Sequence, residues 1–115
     1  MDKLIKRLAP FGVMGIVFIV ALTSAMAAGL TGAAAFTATM AALGPGGMIG
    51  GMITLGIVGI VTSLATEYGY GAIILAVIKE QLKTKSKEEV WGEIAKKKLM
   101  SKDLKLKIKD YIDRA

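Results

Sequence analysis

The chain has 115 residues and a mass of 12.1 kDa, one domain at most, and 54% hydrophobic residues with a mean hydropathy of +0.58 make it far more apolar than an ordinary small globular protein. Its net charge is +6, yet residues 8–66 are 59 consecutive positions without Asp, Glu, Lys or Arg, a run that a water-surrounded core of this size does not need. The absence of Cys and His excludes thiolate nucleophiles, disulfides, imidazole bases and the commonest zinc ligands. The nine carboxylates are scattered among basic residues without the isolation that raises a pKa for acid or base work. The sequence therefore predicts no enzyme, no metal site and no cofactor.

The first seven residues carry Lys3, Lys6 and Arg7 against Asp2, and positive charge ahead of an apolar stretch favours a cytoplasmic N-terminus. Pro10 suits a helix start. Phe11 to Ala28 supplies 18 uncharged, mostly apolar residues, enough to cross a bilayer core at ~1.5 Å per residue. A first span is predicted at about residues 10–30. The basic start and Ala25-Met26-Ala27 before Ala28 also match a secretory signal with its cleavage site, but the apolar stretch runs on without a polar break, which favours the span.

Leu30 to Leu43 is Ala-rich and helix-compatible, and too weakly hydrophobic to insert alone. Gly44 to Gly51 has five Gly and one Pro in eight positions, which predicts a reversal of direction at 44–51. Met48 to Thr66 adds 19 uncharged residues rich in Ile, Val and Leu, and a second span is predicted at about 48–66. Glu67-Tyr68-Gly69-Tyr70-Gly71 then resembles a membrane-interface boundary. Ala72 to Ile78 is apolar but too short to cross alone, so residues 67–78 read as interfacial or as an extension of the second span. Gly69-Tyr70-Gly71 also matches the end of a potassium-filter signature, which needs a full span behind it where only AIILAVI follows.

From Lys79 onward 19 of 37 residues are charged, for a net of +5. Ser86 followed by Glu89 is a capping box, with Val90, Trp91 and Ile94 at helical spacing behind it. Ser101 and Asp103 offer a second helix start, with Leu104, Ile108, Tyr111 and Ile112 on one face. Both helices are too short to stand alone and should dock on each other, on a neighbouring subunit or on lipid headgroups. Basic residues at both ends put both ends on the cytoplasmic side, so the number of crossings is even; three crossings would strand one basic end outside. The predicted fold is all-α: a transmembrane helical hairpin with Gly/Ala zipper faces, in a membrane domain at 1–78, plus a short amphipathic helical cytoplasmic tail at 79–115.

Small residues recur every four positions at Ala21, Ala25, Gly29, Ala33, Thr37 and Ala41, and again at Gly47, Gly51, Gly59 and Ser63 with Gly56 nearby. On a helix such positions form a ridge that lets backbones approach closely in lipid. One ridge packs the hairpin and the second is left for another copy, so a homo-oligomer is expected. Glu67 is the single ionisable residue between Arg7 and Lys79, making it the candidate for lining a pore or binding an ion, against a plainer role as an interface marker. Lys3, Lys6, Arg7, Lys79, Lys83 and Lys85 are candidates for lipid headgroups. Nucleic acid is not an expected partner, because interleaved acids dilute the field of the tail.

Gly29 to Gly56, GLTGAAAFTATMAALGPGGMIGGMITLG, about a quarter of the chain, resembles the Gly/Ala-rich core of the interferon-inducible glycine-rich membrane proteins and their bacterial relatives. That resemblance implies a membrane-associated role in cell death or antiviral defence, without catalysis. The general architecture is also similar to holins, phage lysis proteins with a few spans and a cationic tail, which implies a bacterial inner membrane location. The expected function is a self-associating, membrane-permeabilising protein; the competing expectation is a non-conducting scaffold whose tail recruits a cytoplasmic protein partner.

Overall fold

The computed structural model describes residues 1–43, 55–97 and 100–115, and all regular structure among them is helical. The predicted reversal at 44–51, with Gly47 and Gly51, lies outside the described residues. Helix α1 (Asp2–Leu8) has Asp2 in its first turn and Lys6 and Arg7 in its last, the charge order that suits the helix dipole. A 3-10 turn, Ala9–Phe11, leads to Gly12 at φ 57, ψ −130, a conformation without a place for a Cβ. There the chain restarts as α2 (Val13–Ala27).

Every residue of α2 from Gly15 to Thr23 is buried, more than two turns covered on all sides, as expected of a helix that is apolar all round. Thr23 fits because its hydroxyl donates to the Ile19 carbonyl at 2.8 Å. Gly15 meets the tightest backbone approach among the described glycines: an added Cβ would stand 2.8 Å from the Leu8 carbonyl oxygen. Gly15→Ala should therefore lower unfolding free energy by about 1–3 kcal/mol, the usual cost of overpacking, measurable by denaturant titration.

The first predicted span is cut short at both ends. Gly12 breaks it on one side, and on the other Gly29 takes φ +97. The Gly29 amide donates to Met26 and the Leu30 amide to Ala25, the paired bonds of a Schellman stop. The ridge drawn through Ala21, Ala25, Gly29 and Ala33 is thus divided between α2, the turn and α3 (Gly32–Leu43), which packs back on α2. Ala35 and Thr39 are the buried residues of α3 among those described.

Helix α4 (Leu55–Tyr68) carries the described part of the second predicted span and buries Ile57, Val58 and Val61. It is followed, after Gly69 alone, by α5 (Tyr70–Leu82), bent by 113° from it. Ile73, Ile74, Val77 and Ile78 of α5 are buried, so the stretch 67–78, predicted as interfacial or as an extension of the second span, turns its apolar face into the core. No single described helix is long and apolar enough to cross a membrane.

Helix α6 (Lys87–Ala95) starts at the predicted capping box, with Ser86 Oγ accepting from the Glu89 amide at 3.1 Å and Glu89 accepting from the Ser86 amide. Helix α7 (Lys102–Arg114) starts at Ser101, whose Oγ accepts from the Leu104 amide, and buries Leu104, Ile108 and Ile112. The two pack on each other, one of the three docking arrangements expected of them, and also on α2, while α7 lies against α5. One buried cluster therefore runs from Leu4 to Ile112 around α2. The Cα radius of gyration, 12.7 Å, matches the ~13 Å of a compact domain of this length.

Candidate functional site

Between Leu8 and Thr66 there is no charged side chain, and the structure turns part of that segment outward. Ala33, Ala34, Thr37 and Ala41 of α3 are exposed, as are Gly59, Thr62, Ser63 and Thr66 of α4. The two helices pack on each other, so their outer faces adjoin as one surface built of small, uncharged residues. Roughly 25–35% of the surface of a small water-borne domain is charged. Apart from Glu67 near the end of α4, the charge among the described helices is gathered on α1, the end of α5, α6 and α7 instead.

The predicted packing residues separate accordingly. Ala21 is buried and Ala25 half-buried against the core, whereas Gly29, Ala33, Gly59 and Ser63 are exposed; Gly56 falls within α4. A Cβ at Gly29 or Gly59 would meet nothing within 4 Å among the described residues, so neither glycine serves a close approach to them. A cavity of about 450 Å³ opens beside α4, lined by Met1, Lys3, Gly59, Ile60, Ser63 and Leu64. The glycine that does hold backbones together, Gly15, was missed in the sequence. Its signal was a lone small residue among branched and aromatic ones just behind Pro10 and Gly12.

The six cations predicted for lipid headgroups come from two segments, and the fold joins them: α1 packs on α5, and the Ala9–Phe11 turn lies against α5 as well. At Gly12 an added Cβ would lie 3.8 Å from Lys85 Nζ. Lys83 pairs with Glu80 at 2.9 Å and Lys85 with Glu93 at 3.2 Å, exposed pairs of the kind worth ~0–1 kcal/mol that headgroups can displace. Lys3, Lys6, Arg7 and Lys79 are exposed and make no ion pair among the described residues. Lys3 also rims the cavity at Gly59, so basic end and uncharged face adjoin.

Glu67 stands exposed in the last turn of α4, where the helix dipole disfavours a negative charge. Two smaller grooves, of about 290 and 280 Å³, flank α7 and share Ser24 and Lys107. No protein-family model, curated protein or solved structure matches the chain.

Proposed function

We propose that the protein acts at a membrane, where it self-associates and makes the bilayer permeable. The observation that carries this reading is the uncharged outer surface of α3 and α4 beside a basic end. In the proposed sequence of events, anionic headgroups attract Lys3, Lys6, Arg7 and Lys79, at on the order of 1 kcal/mol per cation near the surface. The α3 and α4 face then enters the acyl region, since small uncharged residues leave water at little cost, and copies meet through Ala33, Gly59 and Ser63. Glu67 would be the one carboxylate near the assembly, placed to bias passage toward cations. A bacterial inner membrane, approached from the cytoplasmic side, is the proposed location.

The test is dye release from vesicles with the purified chain. Release from vesicles rich in phosphatidylglycerol, weak release from phosphatidylcholine vesicles and suppression by high salt are expected. Absence of release at any lipid composition would remove permeabilisation from the account.

A scaffold role for the tail is the second reading, favoured by Leu106, which is 59% exposed among lysines on α7. Removing residues 86–115 would also uncover α2, so Leu106→Lys is the cleaner probe. It should leave dye release unchanged if the membrane reading holds.

A further inference from the structure

Helices α4 and α5 are separated by one residue. Gly69 has φ 85, ψ 157, a backbone region that is essentially glycine's own. The helical ladder runs up to this residue and restarts from it: the Gly69 amide donates to Ala65 at 3.1 Å, and the Ile73 amide donates to the Gly69 carbonyl at 3.4 Å. Between them, the carbonyls of Thr66, Glu67 and Tyr68 stand at a helix end without an intrahelical donor. Thr66, Glu67 and Tyr68 are exposed, so water can reach such groups in the bent form. In hydrocarbon they would be unpaired, which is expensive enough to exclude open helix ends from bilayer cores.

Rotation at Gly69 would pair those carbonyls with the amides of Tyr70, Gly71 and Ala72; it also lifts Ile73, Ile74, Val77 and Ile78 out of the core, apolar surface that acyl chains would then cover in place of protein. The product is a continuous helix. Its segment Ile57 to Ile78 has 22 residues and one charged side chain, Glu67, a length of ~33 Å against a ~30 Å hydrocarbon core. Together the two helices have the apolar length that neither has singly. Glu67 falls at the middle of that segment. It shares the four-residue spacing of Gly59, Ser63 and Gly71, so in the straight helix the carboxyl lies on the small-residue ridge that meets other helices rather than lipid.

We infer that Gly69 is a hinge by which α4 and α5 open from the folded pair into one bilayer-crossing helix centred on Glu67. The inference rests on the membrane reading above, and the experiment separates the two. The chain has no native cysteine, so spin labels at Thr62→Cys and Lys79→Cys, both exposed positions, report the angle in the full-length protein. With the 113° bend and ~1.5 Å rise per residue, the backbone separation is ~15 Å folded and ~25 Å straight. Labelled protein in buffer should give the short distance, and protein sedimented with phosphatidylglycerol vesicles the long one. Gly69→Ala, which disfavours the bent backbone, should reach the long distance at a lower lipid-to-protein ratio. Vesicle-bound protein that keeps the short distance would overturn the hinge and leave the membrane reading standing. Protein that does not sediment with vesicles would overturn both.

Discussion

Thr37→Lys combined with Ser63→Lys should leave the helical content and unfolding midpoint nearly unchanged, yet reduce vesicle permeabilisation at least tenfold. Both side chains are exposed and neither makes a side-chain hydrogen bond among the described residues, so the substitutions fall in the class of surface changes worth within about 0.5 kcal/mol of folding stability. The effect on lipid entry is of another size. A lysine at the centre of a span costs about 2.5–3.5 kcal/mol on insertion scales, and about half that is already tenfold in an equilibrium. The same pair of lysines would strengthen adsorption through charge alone, so greater sedimentation with anionic vesicles but less dye release is the specific signature. Equal loss of both would mean that the variant had lost its fold.

The second large effect concerns the single core. Phe18 and Ile108 are both fully buried, one in α2 and the other in α7. Phe18→Ala should cost about 3–5 kcal/mol and Ile108→Ala about 2–5 kcal/mol, large fractions of the ~5–15 kcal/mol that holds a domain together. Trp91 is the one tryptophan and sits half-buried on α6, so its fluorescence reports the tail while helical circular dichroism reports the whole chain. The two signals should fall together in one denaturant transition, and each substitution should move both. If the tail were an independent segment, Ile108→Ala would shift the fluorescence transition and leave most of the helical signal in place.

Local features of the chain were legible because short-range chemistry decides them. Ser86 with Glu89 and Ser101 ahead of Leu104 start helices where side-chain oxygens can take the free amides. The spacing of Leu104, Ile108 and Ile112 gave the buried side of α7. What covers α2 was not legible, since a helix that is apolar on every side reads the same whether lipid or protein surrounds it; in the structure the cover includes the charged tail, through the apolar stripes of α6 and α7. Gly29 illustrates a second limit. It kept the four-residue spacing of a ridge, but its backbone freedom mattered more than its small size, and it ends α2 instead of packing it. Gly69 was read as part of an interfacial break, whereas it sets the angle between two helices.

The central claim is that the uncharged face of α3 and α4 is the part of the molecule that enters lipid. A single environment-sensitive fluorophore on Thr37→Cys, compared with one on Lys102→Cys, tests it in vesicles that carry nitroxide quenchers on their acyl chains. The account predicts a blue shift and strong quenching at position 37 and little of either at position 102. A bound protein whose label at 37 stays red and unquenched would contradict it.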